Sequence, residues 1–266
     1  MNNLKYFTCF LILFFLSCKS EFEALRTSNQ PEKIYKAANN YFDQKEYDRA
    51  IALYDIVVQF YRGKTEAEDL FYKYAYAHYH INDFILASTY FKNFATTFTN
   101  SPNKIEADYM ASYSNYRMSP NFKLDQSYTE KAITGFEQFI NLYPGTERAE
   151  AANRLIDEMR KKLEQKSYEQ GHLYYKIGQY QAAMVAFQST LKDFPESKKV
   201  EEIRFLILES SFILATNSIF EKKEERYSET LEHYNTFFKK HPGSKKLKEA
   251  QQIEKETLDE LKKLKI

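Results

Sequence analysis

Residues 180–195 read YQAAMVAFQSTLKDFP, and the spacing of aromatic and small side chains in this stretch decides the fold. Tyr180 is followed by Ala183 three residues later, by Phe187 four residues after that, and by Phe194 seven residues further on. Spacings of four and seven place side chains on one face of an α-helix, and the proline that ends the stretch cannot continue that helix. The stretch therefore predicts a helix that packs an aromatic face closely on a neighbouring helix.

The same order of aromatic, small, aromatic, and aromatic or His recurs at four other places in the chain. These copies are Tyr47, Ala50, Tyr54 and Tyr61; Phe84, Ala87, Phe91 and Phe98; Tyr128, Ala132, Phe136 and Tyr143; and Tyr227, Thr230, Tyr234 and His241. Ala50 and Ala87 are 37 residues apart, close to the 34-residue period of tetratricopeptide repeats, and Gly171 stands where that repeat has its glycine. Each copy has a partner helix upstream. The pattern predicts five helical hairpins.

Hairpins of this kind stack, so the fold class expected is all-α: a right-handed α-solenoid of about five tetratricopeptide-like hairpins with a C-terminal capping helix. Pro31 and Pro102 stand where first helices are expected to begin. An insertion is expected at 119–126, and a lengthened helix over about 146–177. The apolar stripe of the capping helix consists of Leu247, Ala250, Ile253, Leu258, Leu261 and Leu264. A partner-docking role for this helix is the alternative.

Composition agrees with helices and excludes several classes of protein. The chain has 266 residues but only 6 Gly and 6 Pro, too few for an all-β chain or for one built around glycine-rich phosphate loops. Its 38 Lys and Arg balance 37 Asp and Glu, so nothing indicates electrostatic binding of nucleic acid. Aromatic residues are unusually frequent, with 22 Tyr and 22 Phe.

The N-terminus reads as a targeting signal. An apolar run from Tyr6 to Leu16 follows one lysine and is too short to span a bilayer. It ends at Ser17 and Cys18, which resemble the box at which bacterial lipoproteins are cleaved and acylated. We expect residues 1–17 to be removed, Cys18 to be lipidated and residues 18–30 to form a polar tether. An ordinary secretory signal with an incidental cysteine is the alternative.

Aromatic residues also recur on the first helix of each hairpin, at a phase distinct from the small residues that face the second helix. We expect this phase to line a groove for an extended or helical peptide, because tyrosine joins a rigid apolar ring to a polar tip. The alternative is that the rings fill the core of a tight superhelix. The candidates are Tyr35, Asn39, Phe42, Tyr72, Tyr76, Tyr79, Tyr109, Tyr113 and Tyr116.

The sequence contains no recognisable catalytic or metal-binding motif. The chain has five His, and His78 and His80 are two residues apart, so on a helix they point to different sides. There is no His-Glu-x-x-His motif, no cysteine cluster and no phosphate-binding loop. We therefore expect no metal, no cofactor and no enzymatic activity.

The chain resembles the BamD family of outer membrane lipoproteins over roughly residues 31–216. The resemblance is carried by Tyr61-Arg62-Gly63 to Tyr79, by Pro102-Asn103 and Asp108-Tyr109, and by Tyr174-Tyr175, Gly178, Tyr180 and Ala182-Ala183. It implies a non-enzymatic scaffold of the β-barrel assembly machinery at the periplasmic face of the outer membrane. Val185-Ala186 stand near where relatives often carry an arginine, so the docking chemistry is expected to differ.

The resemblance also implies a division of labour along the chain. Repeats in residues 31–143 would receive unfolded outer membrane proteins, and repeats in residues 144–266 would hold a periplasmic domain of the barrel-forming, BamA-like subunit. The implied docking residues are Tyr174, Tyr175, Tyr180 and Phe187. The alternative function is that of another tetratricopeptide-repeat lipoprotein adaptor, acting in cell-wall or division coordination.

Overall fold

A computed structural model describes residues 21–264, and the regular secondary structure of this part of the chain is helical, without a strand. The expectations for residues 1–20, which include the signal segment and Cys18, lie outside the described residues. The helices are α1 (Glu21–Arg26), α2 (Pro31–Asp43), α3 (Tyr47–Tyr61), α4 (Ala67–His80), α5 (Phe84–Thr97), α6 (Lys104–Arg117), α7 (Ser127–Leu142), α8 (Glu147–Lys176), α9 (Tyr180–Asp193), α10 (Val200–Thr216), α11 (Phe220–Lys240) and α12 (Leu247–Leu264).

The helices pair as the sequence predicts, which confirms an all-α helical-repeat fold. Helix α2 packs on α3, α4 on α5, α6 on α7 and α10 on α11, while the C-terminal half of α8 packs on α9. The long helix expected over 146–177 is α8, and the insertion at 119–126 separates α6 from α7. Helix α1 lies inside the segment expected to be a polar tether.

The C-terminal helix α12 packs on α11 and α10, as a cap would. Ala250 of the expected apolar stripe is fully buried there. Leu258 is 40% exposed, so its place in that stripe was wrongly predicted. Pro31 is the first residue of α2, as expected, but Pro102 does not begin a helix. It lies in the turn before α6, where a proline needs no backbone donor.

The described chain divides into two compact units. Unit 1 runs to Ser119 and includes Ser127–Ile156; unit 2 consists of Pro120–Gln126 and the residues from Asp157 onward. The boundary between the units falls inside α8. The functional division at residue 143 stays a prediction.

Small residues let the two helices of a hairpin approach closely. In unit 1, Ala38 of α2 and Ala50 of α3 are fully buried beside the ring of Tyr54. In unit 2, Gly171 of α8 faces Phe187 of α9, and a Cβ atom at Gly171 would lie 2.6 Å from that ring. The contact leaves no room for a side chain at position 171, because real Cβ atoms do not approach other atoms so closely.

Three hairpin turns share one backbone geometry. Lys45, Asn82 and Gly178 adopt left-handed φ angles of 63°, 63° and 76° immediately after α2, α4 and α8. At the first turn the Lys45 N–H donates to the Phe42 carbonyl, and the next N–H reaches back to α2 as well. The other two turns repeat these bonds. This arrangement satisfies carbonyls at the helix end, and it favours glycine because a Cβ atom is strained at positive φ.

In three hairpins, a serine that follows the second helix donates a hydrogen bond to a glutamate on the first helix of the same hairpin. Ser101 donates to Glu68 over 2.6 Å, and Ser244 donates to Glu201 over 2.7 Å. Ser197 makes the equivalent bond to the Glu164 carboxylate. Each serine oxygen also accepts the N–H two residues later, over 3.0 Å. The turn that leads into the next hairpin is thereby fixed.

Candidate functional site

The predicted groove residues of unit 1 lie on α2, α4 and α6, and six of them are half-buried with rings that reach the surface. We call these six the tyrosine row: Tyr35, Tyr72, Tyr76, Tyr79, Tyr113 and Tyr116. Tyr72, Tyr76 and Tyr79 share one face of α4, because they are spaced by four and three residues. These six rings are partly accessible on the first helices of three successive hairpins, and a groove lined by them stays a prediction.

Hydrogen bonds between successive first helices hold the rings of the row in place. The Tyr35 hydroxyl donates to Asp69 over 2.7 Å, and the Tyr76 hydroxyl donates to Glu106 over 3.2 Å. Burial raises the pKa of Tyr35 and of Tyr76 well above the usual range, so both hydroxyls stay protonated and keep donating. These carboxylates were not predicted from the sequence, although Tyr35 and Asp69 are 34 residues apart, one repeat period.

Contacts between rings continue the row within unit 1. The centroids of Tyr72 and Tyr76 lie 5.0 Å apart, and those of Tyr113 and Tyr116 lie 5.5 Å apart with planes 30° from parallel. The ring of Tyr79 lies 6.3 Å from Tyr113. His80 links Tyr79 to the first pair, with its ring 5.8 Å from Tyr79 and 6.1 Å from Tyr76. Such pairs add stabilisation to area burial and restrict the rings to a few orientations. The row is a preorganised aromatic surface.

Arg117 sits at the edge of this surface. Its guanidinium donates to the Tyr79 hydroxyl over 2.8 Å and lies 4.6 Å from the centroid of Phe84. The side chain is exposed, so it places a positive charge beside the rings.

Tyr109 does not belong to the accessible surface, and the prediction for this residue was wrong. Only 3% of it is exposed. Its ring packs 5.5 Å from Phe136 and 5.6 Å from Phe139, and the guanidinium of Arg148 lies 4.4 Å from its centroid. Arg148 is held in turn by an ion pair with Glu106. For this ring the alternative reading, core rather than groove, is the correct one.

Asn39 and Phe42 are half-buried, and their contacts lie within the first hairpin. The Asn39 side-chain oxygen accepts the hydroxyl of buried Tyr54 over 2.7 Å. Phe42 packs edge-on against Tyr47 at 5.5 Å. Both therefore help to hold α2 on α3, and a role in a groove stays a prediction.

In unit 2 the same helix phase carries a stacked triplet. Tyr168, His172 and Tyr175 lie in nearly parallel planes, with centroids 5.6 Å and 6.4 Å apart. The outer hydroxyls donate to Glu202 over 2.9 Å and to Glu209 over 2.7 Å, both on α10. Tyr175, a predicted docking residue, is thus half-buried and held by the next helix.

The other predicted docking residues have three different environments. Tyr174 lines a cavity of about 560 Å³ together with Ala182 and Val185. Tyr180 is half-buried, with its ring 5.8 Å from Tyr175. Phe187 is fully buried against Gly171, so its prediction as a surface contact was wrong.

Three aliphatic side chains on or beside α8 and α9 are exposed in unit 2, and the sequence pointed only to Val185, as a departure from the family pattern. Val185 on α9 is 58% exposed and lines that cavity, and Leu173 on α8 and Ile177, the residue that follows α8, are exposed to a similar degree. We call these three residues with Tyr174 and Ala182 the α8–α9 surface. Aliphatic residues exposed close together on a folded unit are typical of a binding surface.

Three further observations on the described residues concern a cavity, metal ligands and helix length. A cavity of about 700 Å³ in unit 1 is lined by α5, α6 and α7 and includes none of the predicted groove residues. No three His, Cys, Asp or Glu side chains in residues 21–264 come together as metal ligands would. None of the helices in that range combines the length and the apolar character needed to cross a bilayer.

Comparison with known proteins identifies relatives. A family model described as YfiO, outer membrane lipoprotein, matches residues 27–224. The outer membrane protein assembly factor BamD of Caulobacter vibrioides is 23% identical over 186 residues, which are 70% of this chain and 61% of the relative. The protein of the same name from Haemophilus influenzae is 22% identical over 188 residues, covering 67% of this chain and 72% of that relative. The match thus spans about three fifths of the Caulobacter protein.

Solved structures also align with this chain, at low similarity. A TPR repeats protein from Bacteroides fragilis aligns over 87% of this chain and 99% of its own length. The TM-score is 0.41 and the sequence identity is 13%, too distant to bear on fold or function.

Proposed function

Because the chain belongs to the YfiO family of outer membrane lipoproteins, we propose that it is a lipid-anchored, non-enzymatic scaffold for assembly of outer membrane β-barrel proteins. The observation that carries the proposal is the family match over residues 27–224, which includes the whole tyrosine row. Its relatives are named as assembly factors, and the scaffold role is transferred from them.

The tyrosine row is the proposed binding surface for unfolded outer membrane proteins. Such chains present alternating apolar side chains and unpaired backbone groups before they fold. Half-buried rings offer apolar contact area at low entropic cost, since they are already fixed by hydrogen bonds such as that from Tyr35 to Asp69. Hydroxyls and the exposed Arg117 supply polar partners for the backbone of the bound chain.

The α8–α9 surface is the proposed docking site for a periplasmic domain of the barrel-forming, BamA-like subunit. Its exposed Val185, Leu173 and Ile177 would become buried in the complex, which is the favourable term in most protein association. The family resemblance implies an arginine on this helix in proteobacterial members, whereas this chain reads Val185-Ala186, so the proposal rests on apolar contact and includes no salt bridge.

Anchoring is assigned to Cys18. Triacylation at that cysteine exceeds the two membrane signals that stable attachment needs, and it would hold the chain at the periplasmic face of the outer membrane. Cys18→Ala is expected to abolish incorporation of labelled fatty acid. Fatty acid that stays attached to the variant would contradict the assignment.

The experiment that tests the scaffold role is isolation of the tagged lipoprotein from gently solubilised envelopes. We expect recovery of a barrel protein with periplasmic repeats. A photo-crosslinker at Tyr76 should also capture an unfolded barrel protein, and one at Lys248, exposed on α12, serves as the control. Recovery of cell-wall or division proteins without a barrel protein would favour the other adaptor function, which the comparisons do not favour. A crosslinker at Tyr76 that reaches only neighbouring helices would contradict the groove.

A further inference from the structure

Helix α1 is docked on the first hairpin rather than free in solution. The ring of Phe22 packs edge-on against Tyr41 of α2, with centroids 5.7 Å apart. The guanidinium of Arg49 on α3 lies 5.7 Å from the Phe22 ring and 5.4 Å from the Tyr41 ring. Arg26 of α1 lies 5.9 Å from Phe22, so two cations flank one ring.

This docking has a geometric consequence for the anchor. Cys18 precedes Phe22 by four residues. Four residues span at most about 14 Å in any conformation, because an extended chain advances about 3.3–3.6 Å per residue. The Phe22 Cα atom therefore lies within about 14 Å of the cysteine. One interfacial layer of a bilayer is about 5–8 Å thick, so the Phe22 Cα atom lies within about two such thicknesses of the anchored cysteine.

We infer that the first hairpin is held against the phospholipid headgroup layer and does not swing on a tether. The inference rests on the proposed acylation of Cys18. The face of the first hairpin on which Phe22 packs would contact the membrane surface, because the acyl chains are attached only four residues before Phe22. Phe22 acts as a positioning residue: its contacts with Tyr41 of α2 and Arg49 of α3 keep these two helices close to the anchored cysteine. Tyr35, the first member of the tyrosine row, then lies on the hairpin nearest the bilayer.

The test uses the full lipidated chain in vesicles of phosphatidylethanolamine and phosphatidylglycerol that carry a headgroup nitroxide quencher. A fluorophore is attached at Asp48→Cys, beside Arg49, or at Asn141→Cys on α7 of the same unit; both positions are exposed. Acylation blocks Cys18, and Cys9 leaves with the signal, so each variant has one reactive thiol. We expect stronger quenching at position 48 than at position 141.

Phe22→Ala is expected to lower quenching at position 48 to the level seen at 141, because α1 loses its contact with Tyr41. Glu21→Ala changes the exposed neighbour on the same helix and should leave quenching intact. Arg49→Gln is the second variant: it removes the cation from both rings, leaves α1 unchanged and should also lower quenching at position 48. Equal quenching at 48 and 141 in the parent chain, or quenching at 48 unchanged by Phe22→Ala, would overturn the inference.

Vesicle flotation and the intact mass of the protein separate this result from failure of the anchor. A chain that floats with vesicles and carries acyl groups, yet is quenched equally at both positions, is anchored but tethered, which contradicts the docked hairpin alone. A chain with no acyl group contradicts the anchor, and the inference falls with it.

Discussion

His241 is the one histidine at a position where the other four repeats have Tyr or Phe. Its ring lies 5.5 Å from Phe237, and its Nε2 atom is buried without a hydrogen-bond partner. Burial lowers the pKa of His241, and the nearby Arg204 and Lys240 lower it further, against an opposing effect of Glu201. The surroundings of His241 therefore favour the neutral form of its imidazole ring.

The first prediction concerns the pH dependence of stability at this residue. The unfolded chain takes up a proton as pH falls through the ordinary histidine pKa, before the folded chain does, so the free energy of unfolding decreases toward acid. His241→Phe should remove the contribution of this residue to the decrease in the free energy of unfolding at low pH. Urea unfolding at about pH 7.5 and about pH 5.5, on either side of the ordinary pKa of ~6.5, measures it. Phe194→His, the reciprocal change, should gain acid sensitivity, and an unchanged pH dependence in both variants would contradict the prediction.

The second prediction concerns Gly171, which lies against the ring of Phe187. Gly171→Ala should lower the free energy of unfolding by about 1–3 kcal/mol, as overpacking of a close helix contact does. Gly243→Ala is the matched control, because a Cβ atom there has no neighbour within 4 Å. Combining Gly171→Ala with Phe187→Leu should recover part of the loss. Equal effects of the two alanine variants in urea unfolding would show that the close approach does not matter.

At the scale of elements, the hairpin turns yield the third prediction. Lys45 occupies the left-handed position that Gly178 occupies in the fourth hairpin. A residue with a Cβ atom is disfavoured there by roughly 1 kcal/mol, so Lys45→Gly should raise the free energy of unfolding by several tenths to about 1 kcal/mol. Gly178→Lys should lower it by a similar amount. Thermal or urea unfolding measures both, and a loss of stability in Lys45→Gly would contradict the geometry.

The elements that could be predicted are those whose signal repeats locally. Spacings of four and seven with a small residue between them predicted all five hairpins, and the two ends of α8 were placed within one residue. The buried state of Tyr109 could not be predicted, because Arg148, which covers its ring, lies 39 positions further along the chain. Helix α1 was missed because six residues held by one phenylalanine give no periodic signal.

Whether a ring lies in a groove or in the core also depends on residues far away in the sequence, and so it could not be predicted. Positions at one phase of a helix face the same way, yet their exposure depends on the side chains that the next hairpin brings over them. Tyr72 and Tyr109 occupy equivalent positions on α4 and α6, 37 residues apart, but only Tyr72 stays partly accessible. The spacing predicted the direction in which these rings point, and the three-dimensional packing decided how much of each is covered.

At the scale of the whole molecule, the two proposed binding surfaces lie on separate compact units. The tyrosine row belongs to unit 1 and the α8–α9 surface to unit 2. Repeat proteins are stabilised mainly by contacts between neighbouring repeats, so a surface change in one unit should leave the other folded. Binding of substrate and docking on the barrel-forming subunit should therefore be separable by mutation.

The last prediction tests that separation. Tyr79→Ala with Tyr113→Ala should weaken capture of an unfolded outer membrane protein, while the barrel-forming subunit is still recovered with the scaffold. Val185→Asp should do the reverse, because it places a charge in the proposed apolar interface at a position already 58% exposed. Gln188→Asp is the control, because Gln188 is exposed on the same helix, α9.

Each variant is compared for thermal unfolding and for yields of both ligands in one affinity isolation. Unchanged unfolding together with loss of only one ligand supports two independent surfaces. Loss of both ligands from a variant that still unfolds like the parent chain would contradict their separation, because one surface would then serve both partners. Loss of neither ligand from Val185→Asp would place the docking site elsewhere in the chain, since a charge cannot be buried in an apolar contact without a cost of several kcal/mol.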